Sequence, residues 1–137
     1  MIDNSEIRQK FYDLIETVIG DAVLTKEGEK STPDAAETRV RVKLFPQETM
    51  NISGRNAIGI NRIKEEPGRV MIEVFGPVKG GLLPIEELAQ AIAAAIETKS
   101  YVLTTGDLKV WACWAQEVVE ESPYYRSLVF ARYSLFH

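Results

Sequence analysis

Between Gly68 and Thr98 the sequence reads as strand, turn and helix in immediate succession, and that order limits how everything else can be arranged. Val70, Ile72 and Val74 fall on one face of an extended run, and Met71, Glu73 and Phe75 on the other. Pro77 has no N–H for a sheet ladder and closes the strand, and Gly80-Gly81 lets the chain reverse. Pro84 stands where the first turn of a helix tolerates it, followed by Glu86 and Glu87 at the end that favours acidic residues. Ile85, Leu88, Ala89, Ile92 and Ile96 make an apolar stripe on a helix expected from Pro84 to about Lys99. Ala91, Ala93, Ala94 and Ala95 widen that stripe with residues small enough for close packing.

The preceding chain supplies partners for this unit. Asp3 and Glu6 have the spacing of a capping box, with Ile2 and Ile7 placed as a hydrophobic staple. Ile7, Phe11, Leu14, Ile15, Val18 and Ile19 then recur at helical spacing until Gly20 offers a stop. This stripe suits core packing better than a partner-binding helix. Ala22-Val23-Leu24 suggests a very short strand. Residues 25–37 are polar, rich in turn formers and expected to be a mobile loop. From Thr38, Val40, Val42 and Leu44 alternate with Arg39, Arg41 and Lys43 until Pro46. The basic stripe reads either as a surface for an acidic partner or as a solvated strand face whose cross-strand partner is Glu73. Residues 47–67 are irregular and punctuated by Gly54, Gly59 and Pro67. Ile52, Ile58, Ile60 and Ile63 are more apolar than a loop washed by water requires. They point to a second hairpin arm or to an assembly arm resting on a neighbouring subunit.

Past the second helix, Leu108, Val110, Ala112 and Trp114 alternate with Lys109, Trp111, Cys113 and Ala115, so a central strand is expected with the two tryptophans on opposite faces. The acidic turn at Glu117, Glu120 and Glu121 leads to a last strand from Tyr124 to Phe136, antiparallel to the one before it. The whole reads as one α+β domain over 1–137: a mainly antiparallel sheet of four to five strands with two helices packed on one face.

Composition narrows the function. A chain of 137 residues buries roughly two thirds of its unfolded surface as one domain and needs no metal or disulfide for stability. Its net charge of -4 argues against a dedicated nucleic-acid binder. With one cysteine and one histidine, the usual zinc ligand set is out of reach of a single chain. No secretory h-region and no apolar run long enough for a bilayer is visible, so an intracellular protein without a membrane span is expected, and Asn51-Ile52-Ser53 reads as an accidental sequon. His137 lies at the last position, where fraying is expected, which disfavours a nucleophile-His pair. Lys79-Gly80-Gly81 lacks the spacing and hydroxyl of a P-loop, and Gly54 and Gly59 lack a dinucleotide context. The Glu pairs 65-66, 86-87 and 120-121 are adjacent and do not face each other. With tryptophans on opposite faces, a stacking platform for single-stranded nucleic acid is disfavoured. No catalytic residue, cofactor or metal is expected.

Several segments together resemble a known family. Arg39-Val40-Arg41-Val42, an apolar-glycine loop, Gly68-Arg69-Val70-Met71-Ile72-Glu73-Val74-Phe75-Gly76-Pro77, a glycine turn and Leu88-Ala89-Gln90-Ala91-Ile92 look like the tail terminator-like proteins (minor tail or tail completion proteins) of tailed bacteriophages and prophages. The strand pair from Leu108 to Phe136 is similar to the end of that family, so the resemblance spans about 38–137. It implies a small α+β protomer in the virion tail, assembled in the host bacterial cytoplasm. Such a protomer forms a homo-oligomeric, typically hexameric ring on the tail tube protein, stops tube growth and meets the head-tail connector protein. It carries over no catalytic residues. The candidate assembly interface comprises Arg39, Arg41, Lys43, Ile52, Ile58, Ile60, Glu117, Glu120 and Glu121. A reading from a different class is a small-ligand or peptide-binding module of a bacterial cytoplasmic protein, with its pocket between the Pro84 helix and the sheet.

Overall fold

The structure, a computed structural model, describes residues 4–20, 22–26, 37–47, 50–51, 64–121 and 124–137. Its elements run α1 (Asn4–Glu16), β1 (Val23–Thr25), β2 (Arg39–Pro46), β3 (Met50–Asn51), β4 (Lys64–Pro77), a short 3-10 turn (Val78–Gly80), α2 (Leu83–Ile96), β5 (Ser100–Leu103), β6 (Gly106–Ala115), β7 (Val119–Glu121) and β8 (Tyr124–Phe136). Both helices form where the apolar spacing puts them, and Gly20 follows α1 with φ 59, a conformation that costs glycine little.

The expectation of a mainly antiparallel sheet of four to five strands is overturned. Among the described residues the sheet has eight strands in the order β1-β2-β4-β8-β6-β5, with β3 added on β4 and β7 on β8. It is mixed, because β1 runs parallel to β2, with Leu24 opposite Val40. Strands of two, four and three residues (β3, β5 and β7) are too short to show alternation, which is why they leave no periodic signal. The stretch between Thr25 and Arg39 is long enough for the crossover that a parallel pair needs, which a tight hairpin cannot supply.

One face of the sheet and both helices share a single core. Val40, Val42 and Leu44 of β2, Val70, Ile72 and Val74 of β4, Leu108 and Val110 of β6, and Val129, Ala131, Tyr133 and Leu135 of β8 bury against it. Ile7, Phe11, Tyr12 and Ile15 of α1 and Ile85, Ala89, Ile92 and Ile96 of α2 close it from the other side. Each side chain of this size contributes on the order of 1.5–3 kcal/mol on full burial, which makes this face the main source of stability. Gly68 is required by close approach, since a Cβ there would run into the Tyr133 ring. The turn between β5 and β6 is tied to α1, with Thr104 donating from both its backbone N–H and its hydroxyl to the Glu6 carboxylate.

The central strand departs from simple alternation. Val110 pairs with Tyr133 but Cys113 with Ala131, so Trp111 and Ala112 together oppose Arg132 in a β-bulge. The extra residue inverts the phase of everything after it. Cys113 and Ala115 turn to the helix side, and Trp114 joins Trp111 on the far side, contrary to the expected placement of the tryptophans on opposite faces. His137 also departs from expectation: its backbone exchanges hydrogen bonds with Lys64 at 3.0 and 2.9 Å, so the last residue is held to the start of β4.

Candidate functional site

The sheet face turned away from the helices has no covering element among the described residues, and the register says which side chains stand on it. In β2 these are Arg39, Arg41, Lys43 and Phe45; in β4, Arg69, Met71, Glu73 and Phe75; in β8, Arg126, Leu128, Phe130, Arg132 and Ser134; in β6, Lys109, Trp111 and Trp114. Aromatic and basic residues dominate it.

Glu73 is the polar centre of one half. It sits opposite Arg41 in the register and is only 3% exposed. Its carboxylate accepts a hydrogen bond from Arg41 Nη2 at 3.0 Å and lies 3.7 Å from Lys43 Nζ and 4.0 Å from Arg126 Nη1. Arg41 also stands over the Phe75 ring, 5.6 Å from its centroid. Arg41 and Lys43 of the basic stripe therefore share one carboxylate within their own sheet, with Arg126 as a third cation beside it. Arg39 is different, its guanidinium 3.8 Å from Glu37. Of the acidic trio, Glu121 reaches Arg126 at 3.0 Å, while Glu117 and Glu120 are exposed and make no ion pair among the described residues. Arg126 thus stands between Glu121 and Glu73, and among the described residues none of Arg39, Arg41 and Lys43 pairs with the acidic trio. Ile52, Ile58 and Ile60 lie outside the described residues, as do 27–36 of the expected loop and 1–3 of the expected capping box. The base of the 47–67 segment is a hairpin, with Met50 opposite Glu65 and Asn51 opposite Lys64.

The other half of the face carries residues that no sequence pattern groups together. Arg69 and Arg132 stand directly opposite each other in the β4–β8 register, both exposed, and neither makes an ion pair among the described residues. Like charges placed so are destabilising unless something screens them. Beside them Trp111 donates its indole N–H to Ser134 Oγ at 2.9 Å, and Ser134 donates in turn to Glu65 Oε1 at 2.6 Å, which fixes the ring. Lys109 caps that ring, 5.2 Å from its centroid. Trp114 stacks on Phe130 at 5.7 Å between centroids, tilted 27°. Both tryptophans are nearly half exposed. Gln47, Glu65, Arg69, Trp111 and Arg132 line a cleft of about 360 Å³. No signal in the sequence marks this cluster, because it depends on the bulge and on the register.

A second cleft, of about 320 Å³, opens on the helix side where α2 begins, between Leu82, Glu86 and Ala89 on one wall and Gln116, Glu117 and Ser127 on the other. It matches the groove expected between the Pro84 helix and the sheet. Glu86 and Glu117 are exposed there without ion pairs among the described residues, and Leu82, Leu83 and Val119 nearby are exposed apolar residues. A third hollow, of about 520 Å³, lies between the end of α1 and the start of α2, at Ile19, Val23, Thr38, Pro84 and Leu88. Among the described residues no group of three or more His, Cys, Asp or Glu side chains is placed to hold a metal ion. His137 Nε2 lies 3.7 Å from Glu66. Burial, reinforced by the Glu97 charge, pushes the Cys113 thiol up to about 12.

No family model matches the sequence, and no curated protein does. Solved structures do share the fold. One has a TM-score of 0.71 at 16% identity, over 96% of this chain and 92% of its own. Another is a chain from the virion of a native gene transfer agent particle, with a TM-score of 0.61 at 17% identity, over 98% of this chain and 97% of that one. At these identities the likeness establishes a shared fold along nearly the whole length of each chain.

Proposed function

We propose that this protein is a virion structural protein of a bacteriophage or prophage, of the tail terminator type, without catalytic activity. It caps the tail tube as a closed homo-oligomeric ring, most simply a hexamer, stops tube elongation and presents the joining surface to the head-tail connector protein. It is assembled in the host bacterial cytoplasm and resides in the virion tail, binding neither membrane nor specific nucleic-acid sequences. The carrying observation is the fold shared end to end with a chain of a gene transfer agent virion. The sequence resemblance over 38–137 supports the same reading independently. So does the uncovered sheet face bearing Trp111, Trp114, Arg69 and Arg132, since tryptophan and arginine are the residues most enriched where proteins bind one another.

The test is to add the purified protein to tail tubes assembled without a terminator and to image the tube ends. Rings at one end of each tube and arrested growth are expected. Tubes that lengthen at the same rate with and without the protein overturn the capping role. A second reading rests on the α2 cleft at Glu86 and Glu117: a small cationic ligand or basic peptide bound there, in a binding module of a bacterial cytoplasmic protein. Saturable binding of such a ligand by a protein that ignores tubes favours it.

A further inference from the structure

We infer that the ring closes through a head-to-tail contact in which the Arg69–Arg132 cleft on the open sheet face of one protomer receives the Glu86–Glu117 wall of the next. This rests on the ring-forming reading above and names the surfaces that would build it. Among the described residues two arginines stand side by side without an ion pair, and two glutamates stand on the two walls of a cleft without one, all four exposed. Each charge pair is set beside apolar surface that the fold leaves open: Trp111 and Trp114 on the sheet side, Leu82, Leu83 and Val119 on the helix side. Charge and apolar character therefore match across the two patches, as the core and rim of a protein interface require.

Geometry excludes the contact within one chain. Ser127, at the acidic cleft, points to the helix side of β8, and Arg132 and Ser134 point to the opposite side. The two clefts share no lining residue, and the sheet stands between them. Two different patches on opposite faces make a heterologous contact, and repetition of such a contact yields a ring when the rotation closes. A two-fold dimer would instead join like to like and bring Arg69 and Arg132 of one copy against those of the other.

The experiment uses four full-length proteins: wild type, Arg69→Glu/Arg132→Glu, Glu86→Arg/Glu117→Arg, and the variant carrying all four changes. Mass is measured by sedimentation and light scattering at low and high salt, with circular dichroism and thermal melts to verify the fold, which exposed substitutions should leave intact. Wild type is expected to associate, more weakly as salt rises, and each double variant to associate on the order of a hundredfold more weakly, roughly tenfold per lost charge pair. The four-fold variant should regain association. An equimolar mixture of the two double variants should also regain association, as an alternating assembly, since the acidic cleft of one meets the basic wall of the other and the basic cleft meets the acidic wall. Association of the Glu86→Arg/Glu117→Arg protein equal to wild type overturns the contact, and if wild type still caps tubes the virion reading stands without it. A wild type monomeric at all concentrations and salts also overturns it. So does a monomer whose sheet face binds a fluorescent single-stranded oligonucleotide and loses it on Arg69→Glu/Arg132→Glu.

Discussion

Removing the Glu73 carboxylate tests whether the basic stripe is a self-contained device of the sheet. The side chain of Glu73 is 4% exposed, while its partners Arg41, Lys43 and Arg126 are 45%, 43% and 33% exposed. The anion is thus the desolvated member, and the cations keep access to water. Breaking a fully buried pair costs about 3–5 kcal/mol, a figure that must be reduced here because the orphaned cations can turn outward and hydrate. Losing one charge-assisted hydrogen bond costs about 1.5–3 kcal/mol when no acceptor remains. Glu73→Gln, which keeps an acceptor for Arg41, should therefore cost about 1–2 kcal/mol, and Glu73→Ala, which leaves a gap as well, about 2–3 kcal/mol. Glu73→Leu should cost less than Glu73→Ala, because an apolar side chain fills the space without needing a partner. Arg41→Ala should cost only about 0.5–1 kcal/mol, since Lys43 and Arg126 still serve the carboxylate. For a chain of 137 residues, about 1 kcal/mol corresponds to roughly 3–4 °C in Tm, so the series spreads over some 2–12 °C and thermal melts with urea titrations resolve it. Arg41→Ala as damaging as Glu73→Ala, or Glu73→Ala within about 0.5 kcal/mol of wild type, refutes the asymmetry and returns Arg41 and Lys43 to the list of residues free for a partner.

Gly68→Ala should lower stability by about 1–3 kcal/mol, because the new methyl meets the buried Tyr133 ring, itself packed 5.7 Å from Phe11; an unchanged melt shows that the ring has room to move. Ser134→Ala removes both the acceptor of the Trp111 indole N–H and the donor to Glu65, for an expected loss of about 1–2 kcal/mol and a shift in tryptophan fluorescence; no spectral change places Trp111 elsewhere. With its pKa raised by burial to about 12 from 9.0, the Cys113 thiol should react with a disulfide reagent at pH 8 roughly a thousandfold more slowly in the native than in the unfolded protein. Tyr133 is raised in the same way, to about 12 from 10.0, so both groups bind protons more tightly folded than unfolded; stability should be flat below about pH 9 and fall as pH rises toward 12, and a Tm that holds constant to pH 11 contradicts both shifts.

Where a residue pattern repeats over several turns or pleats, the sequence was a good guide to the fold. The helical stripes at Ile7 to Ile15 and Ile85 to Ile96 and the alternations of β2, β4 and β8 all bury the side chains their spacing selects. Of the short strands only β1 is suggested by the sequence, at Ala22-Val23-Leu24, because a run such as Val119–Glu121, exposed at every position, has no apolar alternation to detect. The site was legible only in part. Arg41 and Lys43 could be read as cross-strand partners of Glu73 because both strands were recognisable and their phases known. Arg69 and Arg132 could not be paired, since nothing in either strand fixes the register that sets them opposite each other.

The bulge at Trp111 and Ala112 has the largest consequence for function. Strict alternation would send Trp114 into the core and Cys113 outward, leaving the open face with one tryptophan and the Pro84 helix packed against another. One inserted residue instead delivers two adjacent aromatic platforms to the face that already carries Arg69, Arg132 and Lys109. The same phase change admits the small side chains of Cys113 and Ala115 beneath α2, where Ala89, Ala93 and Ala95 allow close packing. Helix packing and the exposed aromatic-basic surface therefore have one structural origin. Deleting Ala112 should leave both in place: Trp111 alone would oppose Arg132, Cys113 would still face α2 and Trp114 would still lie on Phe130, and a Trp114 fluorescence turned to that of a buried ring refutes the register.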